Sequence, residues 1–436
     1  MKLKPIVYLI ILGHCHTANS QNLVETFQLA VKNNPQLKQA YLTQFSVGET
    51  KSQSIANMLP TISVTGKSSR ERINNKKANF QGSGVQNYWN HGFTINFSQP
   101  VFHWDHWVTL SQSNNRIAQT EAEYQAEYQS LIVKTTEAYF NILSAEDNLA
   151  FTLSEQKAIE RQLEQAKQRF EVGLIAITDV YEAQAGFDQA TANQIEAENL
   201  LDDNKEALRE LIGENEAKLI QLGKNLNFLP PNPNDIKKWT EIAETNNLSI
   251  IAALNQAEVS RKDISIQQSA HLPTLDIIAN YNAQDVNSTF GLRGDTQSVG
   301  LQVNIPIFQG GGISSRAKQA QFNYQIAKEN LTATKRQVKR QLRNAFRDVI
   351  SSLSRVKALK AAVASSESAL EASEAGFEVG TRTMIDVLAE QRNLYRAKRD
   401  YSRSRYDYLI NGVKLKQAAS SLSEQDLDLI NQYLKI

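Results

Sequence analysis

Apolar side chains recur along most of this chain at intervals of three, four and seven residues, the spacing of one helical face. The pattern runs longest through two stretches that contain neither glycine nor proline, from His103 to Val172 and from Ile313 to Ala375. A helix of about seventy residues would extend roughly 100 Å. Such a helix needs a partner along its length, and the run from Thr178 to Leu211 is the antiparallel partner predicted for the first.

Four shorter segments alternate between apolar and polar residues with a period of two, and they predict β-strands. Their apolar positions are Ile62 and Val64; Phe93, Ile95 and Phe97; Leu275, Ile277, Ala279 and Tyr281; and Val299, Leu301, Val303 and Ile305. Polar loops are expected from Asn74 to Gln86 and from Asp285 to Thr296. A predicted helix precedes each pair of strands, Leu23 to Ala56 in one case and Ile236 to Ala270 in the other.

One apolar face and one polar face on each strand is the pattern of a membrane barrel. Four strands are too few to enclose an interior, because about eight is the smallest common number. Since lipid does not tolerate open sheet edges, several identical chains must close one barrel together. The pattern therefore predicts a symmetric oligomer in which the helices continue the strands as a helical cylinder.

The chain is also a tandem duplication. Phe170-Glu171-Val172-Gly173 recurs as Phe377-Glu378-Val379-Gly380, and seven of the fifteen positions from 170 to 184 are identical in the second copy. In each copy the glycine predicts a tight turn between two helices. The predicted organisation is a signal peptide (1–20), a first repeat (21–213), an equatorial segment (214–240), a second repeat (241–418) and a C-terminal equatorial segment (419–436).

The first twenty residues have the features of an export signal. Lys2 and Lys4 precede the apolar run Ile6 to Leu12, which is too short to span a bilayer as a helix. Cleavage after the small residues that follow would remove Cys15, the only cysteine, so the exported chain would contain no disulfide. A second interpretation stays open, in which Cys15 is a lipoprotein acylation site, although His14 is bulkier than the residue such sites prefer there.

Charge and composition argue against several functions. A formal net charge of +1, from 47 basic and 46 acidic residues, gives no support to nucleic-acid binding. The chain has no Ser-rich or Gly-rich nucleophile turn around its histidines, so we predict no catalytic residues, no enzyme activity and no cofactor. His103 and His106 have the spacing that can hold a metal on a helix, but without a cysteine or a nearby glutamate pair we expect no metal site. An aromatic girdle at the edge where the barrel meets the helices is predicted instead from Trp89, Phe102, Trp104 and Trp107.

Several motifs together resemble those of the TolC-type outer-membrane channel proteins. They are Leu-Pro-Thr at 59–61 and 272–274, the two Phe-Glu-Val-Gly turns, Tyr406 to Asn411 and Ser423 to Leu427. The resemblance extends over nearly the whole chain after residue 20. It implies a mainly α fold with a small β part, in which a homotrimer forms a twelve-stranded β-barrel continued by an α-helical barrel.

The resemblance implies a passive exit duct in the cell outer membrane, with its helical part in the periplasm. The duct would serve multidrug efflux, type I protein secretion or both. Expected partners are the other copies in the homotrimer, a periplasmic adaptor protein, an inner-membrane transporter and outer-membrane lipid, with no nucleic acid. Two other classes were weighed: a soluble periplasmic coiled-coil adaptor, which explains the helical hairpins but not the strand pairs, and an enzyme on a helical scaffold.

A periplasmic gate at the hairpin turns is also implied by the resemblance. Its residues here are Thr178, Asp179, Phe377, Arg382 and Asp386. Arg382 matches the family's gate arginine, with Thr178 and Asp179 as its partners, and Asp386 matches a pore-lining aspartate. The chain departs from the family at Phe377, where a tyrosine is usual, and at Ala389, where a second aspartate is usual. We therefore expect weaker block by multivalent cations and a less firmly held resting state.

Simpler roles are open for the same residues. Asp179 and Asp386 can cap helices, and Arg382 can be a solvated charge at a turn. Gly173 and Gly380 are predicted turn residues, and contact of the two turns with an adaptor protein is a further hypothesis.

Overall fold

The computed structural model describes residues 21–79, 82–214, 218–223, 226–287 and 293–434, so the predicted export signal and Cys15 lie outside the described residues. In chain order the elements are α1 Leu23–Asn33, α2 Pro35–Ala56, β1 Thr61–Asn79, β2 Gly82–Phe102, α3 Trp104–Glu171, α4 Ile177–Ile212, α5 Ile236–Asn246, α6 Leu248–Ser269, β3 Thr274–Val286, β4 Arg293–Asn304, α7 Gly312–Glu378, α8 Met384–Ala418 and α9 Glu424–Asn431. They form two compact units. Among the described residues, the helical unit comprises 21–38, 126–247 and 338–434, and the sheet unit comprises 39–125 and 248–337.

One continuous helix was predicted before each pair of strands, and both predictions were wrong in the same way. Each predicted helix is divided into two by a single non-helical residue. The breaks are at Asn34 and Asn247, which share the extended conformation φ −65°, ψ 122°. Pro35 explains the first break, because proline disfavours helical geometry in the residue before it. Leu248 follows the second break without a proline, so the second break had no comparable signal in the sequence.

The two long runs without glycine form helices, as predicted. The α3 helix has 68 residues and the α7 helix has 67. The α7 helix continues through Gly376 to Glu378, three residues beyond the predicted end, because glycine weakens a helix without preventing it. Among the residues that the structure describes, no helix combines the length and the apolar content needed to cross a membrane.

The four strands form one antiparallel sheet in the order β1-β2-β3-β4. The strands are longer than predicted, since β1 reaches Asn79 and β2 begins at Gly82 inside the segment expected to be a loop. There Ile73 pairs with Gln86 and Asn74 with Val85. The loop prediction failed because it rested on polar composition, whereas a ladder is held by backbone hydrogen bonds that any residue except proline makes.

The apolar residues predicted on one face of each strand are in register across the sheet. Ile95 pairs with Val64 on one side and Tyr281 on the other, and Ala279 in β3 pairs with Val299. The apolar face is open to solvent in the single chain, with Val64 68% and Val299 82% exposed. A half-buried sheet normally hides such a face, so this one requires a covering environment.

The opposite face is polar and is joined by side-chain hydrogen bonds between strands. Asn280 Nδ2 donates to Asn96 Oδ1 at 2.7 Å, and Thr94 Oγ1 donates to Asn282 Oδ1 at 2.9 Å. Both bonds link β2 to β3, the strands on either side of the duplication boundary. The sheet therefore has the two chemically distinct faces that the alternating pattern predicted.

The predicted aromatic girdle is wrong for Trp89. Phe102 comes thirteen positions after Trp89 along the extended strand, a distance of roughly 40 Å. Trp104 and Trp107 lie just beyond Phe102 in the first turn of α3, and all three are between 40% and 54% exposed. The misassignment follows from the underestimated length of β2.

Candidate functional site: the hairpin turns

The turn between α3 and α4 ends the first helix with a pair of backbone hydrogen bonds. Leu174 N donates to Arg169 O at 2.8 Å, and Gly173 N donates to Phe170 O at 2.9 Å. This is the Schellman arrangement, in which the residue after the helix takes a left-handed conformation. Gly173 has φ +74°, which explains why glycine is needed there.

The turn between α7 and α8 repeats this geometry. Thr381 N donates to Gly376 O at 2.8 Å, Gly380 N donates to Phe377 O at 3.2 Å, and Gly380 has φ +81°. A Cβ added at either turn glycine would meet no atom within 4 Å. The turns predicted from the sequence are therefore present. Each turn needs glycine for its left-handed backbone conformation and not for lack of space for a side chain.

The helix that follows each turn begins in a different way in the two copies. In α8, Asp386 N donates to Thr383 Oγ1 at 3.2 Å and Thr383 N donates to Asp386 Oδ2 at 2.9 Å, which is a capping box. In α4, Ala176 occupies the corresponding position and no side chain caps the helix. The capping role weighed for both aspartates is thus realised for Asp386 and not for Asp179.

The charge of Asp386 follows from its place in this capping box. The backbone N–H of Thr383 first, then its hydroxyl, and then the nearby Arg382 charge hold the pKa of the Asp386 carboxyl below its ordinary value of 3.8. The side chain is only partly covered. Both bonds to Thr383 use Oδ2, and Oδ1 accepts no hydrogen bond from any residue that the structure describes. An ionised oxygen is therefore available at this turn.

Both hairpins contribute to one apolar cluster behind the turns. Its buried members are Ile159, Leu163 and Ala166 from α3, Val180, Ala183 and Ala190 from α4, and Met384 and Leu388 from α8. Phe377 from α7 packs against this cluster and is partly buried. The cluster therefore brings the two halves of the predicted gate into one packed structure.

Phe377 contacts the cationic side chain of Arg169 through the face of its ring. A tyrosine, the usual residue of the family at this position, would also offer a hydroxyl. The guanidinium carbon of Arg169 lies 4.9 Å from the centre of the Phe377 ring, within the range of a cation–π interaction. Such a contact holds the aromatic ring against the turn of the first hairpin. It gives no directional hydrogen bond, so Phe377 supplies packing rather than a polar latch.

Arg382 lies against the backbone of α7 at Gly376. A Cβ added to Gly376 would stand 2.7 Å from Arg382 Cγ, so the glycine makes room for the arginine side chain. Arg382 N also donates to Gly376 O at 3.2 Å. Within the described part of the chain, Arg382 makes no hydrogen bond or ion pair with Thr178 or Asp179. The structure thus gathers Phe377, Arg382 and Asp386 at one turn and leaves Thr178 and Asp179 at the other.

The sequence predicts a threonine and an aspartate at the start of the helix after each turn, and for α8 the capping box of Thr383 and Asp386 confirms it. Two other residues that shape this site, Gly376 and Arg169, were not assigned a role from the sequence. Gly376 was noticed as the end of a run, and its role in seating Arg382 depends on a contact six residues away. Arg169 had no signal, since its contact with Phe377 joins the two repeats.

A series of polar contacts joins α3 to α8 behind the turns. Arg399 Nη1 donates to Glu155 Oε2 at 2.7 Å, and the Glu155 side chain is only 3% exposed. Tyr406 Oη donates to Asp147 Oδ2 at 2.8 Å, and the hydroxyl of Ser402 donates to the same oxygen. Burial raises the pKa of Tyr406, so its hydroxyl stays protonated and remains a donor. These contacts fix the first repeat against the second.

Comparison with protein families gives a match to one family model over most of the chain. Residues 26–214 and 239–421 match the family described as "Outer membrane efflux protein". The two matched ranges correspond to the two halves of the duplication. Together they cover well over half of the chain.

Relatives match the chain over its full length. The outer membrane protein TolC of Vibrio cholerae is 37% identical over 443 residues, covering 100% of this chain and 99% of the relative. TolC of Escherichia coli K12 is 34% identical over 450 residues, covering 99% of this chain and 89% of the relative. The proteases secretion protein PrtF of Dickeya chrysanthemi is 25% identical over 419 residues, covering 94% of this chain and 90% of the relative.

A solved structure shares the fold. The crystal structure of the Campylobacter jejuni CmeC outer membrane channel superposes with a TM-score of 0.82 at 19% identity, covering 95% of this chain and 90% of that chain. This chain therefore belongs to the outer membrane efflux protein family, among its TolC-type members.

Proposed function

We propose that this chain forms, as a homotrimer, the outer-membrane exit duct of a tripartite efflux pump or a type I secretion system. The duct carries small molecules or proteins passively, from an inner-membrane transporter joined to it by a periplasmic adaptor. Membership of the family makes this an outer-membrane protein of efflux and secretion. The observation that carries the rest is the four-stranded sheet with an exposed apolar face.

The edges of this sheet support the trimer. Among the described residues, β1 pairs only with β2 and β4 pairs only with β3, so each outer strand has one free edge. Unpaired backbone groups are costly in lipid, and only closure removes such edges. Three copies would supply twelve strands, enough to enclose a lumen, whereas one chain supplies half the number of a small barrel.

The two faces of the sheet suit such a barrel. The apolar residues exposed in the single chain, such as Ile62 and Leu301, would meet lipid, and the asparagine and threonine face would line the water-filled lumen. A soluble adaptor would have to leave the same apolar face in water. The sheet therefore favours the duct over that alternative.

The test combines mass and conductance. The chain, purified from membranes in mild detergent, should have the mass of three copies by native mass spectrometry and should dissociate only on heating. Added to a planar bilayer, it should conduct ions. A monomeric preparation that conducts nothing would contradict the proposal.

We also propose that the hairpin turns form a gate that closes the periplasmic end of the duct. Because Arg382 does not pair with Thr178 or Asp179 in its own chain, the partners of the arginine in the closed state would be those of a neighbouring copy. Asp386 from each copy would form a ring of negative charge that favours cations in the opening. Ala389 provides no second ring, and Phe377 provides no hydroxyl. We therefore expect a weakly blocked, loosely closed duct.

Adaptor contact at the turns is supported by exposed apolar side chains. Val172 is 70%, Leu174 74% and Val379 75% exposed, all beside the turn glycines. Apolar residues at the end of a helical hairpin gain free energy when another protein covers them. These residues are the points at which we propose that the adaptor docks beside Gly173 and Gly380.

A further inference from the structure

Two histidines and two carboxylates meet where β2 passes into α3. His103 is the single residue between the two elements, and Asp105 and His106 lie in the first turn of α3. Asp276 comes from β3, the strand hydrogen-bonded to β2. One ligand atom from each of His103, Asp105 and His106 lies within 4.8 Å of the others. All four residues belong to the sheet unit.

The separations within this cluster suit an ion better than direct hydrogen bonds. His103 Nδ1 is 3.9 Å from Asp105 Oδ1, and His106 Nε2 is 3.7 Å from Asp105 Oδ2. Both distances exceed hydrogen-bond length. Two ligands of a tetrahedral zinc ion, each about 2.1 Å from the metal, are roughly 3.4 Å apart. The three ligand atoms, which lie within 4.8 Å of one another, therefore have to move closer together to surround one ion, and rotation of the His106 ring would bring them there.

Asp276 holds His103 in the orientation that metal binding needs. Its Oδ1 is 3.0 Å from His103 Nε2. With the proton of the imidazole on Nε2, the lone pair is on Nδ1, which faces Asp105. A carboxylate that accepts from the second ring nitrogen is the usual support of a metal-binding histidine.

The second imidazole is free to turn toward a ligand. The His106 and His103 rings stack with centroids 4.6 Å apart and planes 13° apart. His106 Nδ1 is buried and has no hydrogen-bond partner among the described residues. No hydrogen bond from a described residue to Nδ1 opposes rotation of this ring, so an ion that binds His106 has to overcome its stacking on His103.

The local charge also favours a cation. The start of a helix carries a partial positive charge of about half an elementary unit, which alone would repel a metal ion. Asp105 and Asp276 each bring a full negative charge and outweigh it. The equivalent junction of the second repeat, between β4 and α7, has Gln309, Gly310, Gly311 and Gly312 instead, so the duplication alone does not account for the cluster.

We propose that His103, Asp105 and His106 bind one divalent transition-metal ion, with Zn²⁺ as the best match to this ligand set and water in the fourth position. Asp276 is a positioning residue. The expectation of no metal drawn from the sequence considered cysteine and glutamate and left out Asp105. It could not anticipate Asp276, which lies 173 residues away from His103. The bound ion would tie His103 to the first turn of α3, and the contact of Asp276 with His103 would link the site to β3.

The test is zinc titration of the exported chain, residues 21–436, purified without a histidine tag and stripped with EDTA. Isothermal calorimetry with ZnCl₂ should show one ion per chain. The His103→Ala and His106→Ala variants should lose at least a hundredfold in affinity, and Asp276→Asn should lose ten- to a hundredfold. His271→Ala, which removes an exposed histidine outside the cluster, should bind like the parent chain.

Electron paramagnetic resonance of the parent chain with one equivalent of Cu²⁺ gives a readout that does not depend on any variant folding. Hyperfine structure from two imidazole nitrogens is expected. Absence of saturable zinc binding in the parent chain would overturn the proposal. So would binding that is unchanged in a folded His103→Ala/His106→Ala double variant, or a copper spectrum without nitrogen ligands.

Discussion

Thr383 and Asp386 hold the start of α8 through reciprocal hydrogen bonds, with Asp386 N donating to Thr383 Oγ1 and Thr383 N donating to Asp386 Oδ2. The aspartate therefore has a capping role that does not depend on any pore. Its charge and its capping oxygen are separable, because asparagine keeps an acceptor oxygen and loses the charge. This separation allows the proposed ring of negative charge to be tested directly.

Asp386→Asn should greatly weaken block of the channel by a trivalent cation such as hexamminecobalt, because the charge at the opening is removed while the cap stays. Thr383→Ala should weaken block far less, because it removes the cap oxygen and keeps the charge. Single-channel conductance in planar bilayers measures both. Equal block in Asp386→Asn and the parent channel would show that Asp386 does not face the conducting path.

Acidification should abolish the same block at a pH below 3.8. The folded pKa of Asp386 is lowered, so its charge and the capping contribution it makes are fully present above the ordinary pKa of 3.8. Both are lost as pH falls through the lower folded value. In Thr383→Ala the midpoint of the loss should rise part of the way toward 3.8, because the hydroxyl bond, the second-largest cause of the lowered pKa, is removed while the backbone N–H of residue 383 stays. A midpoint that stays unchanged in that variant would contradict the assignment of the cause.

Gly376→Ala and Arg382→Gln should both open the channel. A Cβ at position 376 would displace Arg382 Cγ and so move the guanidinium without changing any charge. The matched control is Gly186→Ala, whose added Cβ would meet Ile159 and Leu388 at an ordinary 3.6 Å. Resting conductance should rise for Gly376→Ala and Arg382→Gln, and Gly186→Ala should leave it unchanged. If both the Gly376→Ala and the Arg382→Gln channels stay closed, Arg382 is not part of the gate.

Arg399→Met should destabilise the helical unit by about 3 kcal/mol, because it leaves the buried Glu155 carboxylate without a partner. The double variant Arg399→Met/Glu155→Gln should recover much of this loss, since no uncompensated charge remains. Urea unfolding followed by circular dichroism gives the free energies. Lys205→Met, which breaks an exposed ion pair with Asp202, should cost less than about 1 kcal/mol and serves as the control.

Cysteines at Leu174 and Val379 should crosslink the duct to its adaptor in intact cells. These positions are preferable to Gly173 and Gly380, where the positive φ angles would strain any other residue. Ile195→Cys, 54% exposed but in the body of α4, is the control and should capture less adaptor. Equal capture at all three positions would argue against docking at the turns.

Periodic positions were the part of this fold that the sequence predicted best. The apolar faces of the four strands follow from the two-residue period of a strand, and the extents of α3 and α7 follow from long runs of helical period without proline. The glycine turns were equally predictable, since few residues other than glycine take the conformation of Gly173.

The features that escaped prediction depend on partners far away in the chain or on the backbone alone. Asn247 interrupts a helix without a proline beside it, and the ends of β1 and β2 are held by backbone pairing in a polar segment. The contact of Arg169 with Phe377 and that of Asp276 with His103 join different repeats. No local pattern reports such contacts, so these residues emerged only from the structure.

The alanine at position 176 gives the two ends of this duplicated chain unequal sensitivity to their surroundings. Had both ends kept a threonine, an acid shift that loosened one would loosen its twin as well. With the threonine at one end alone, protonation of Asp386 can weaken the cap of α8, whereas α4 has no side-chain cap to lose. The duplicated chain therefore has one end whose first helical turn is held by an ionisable cap and one end whose first turn is not.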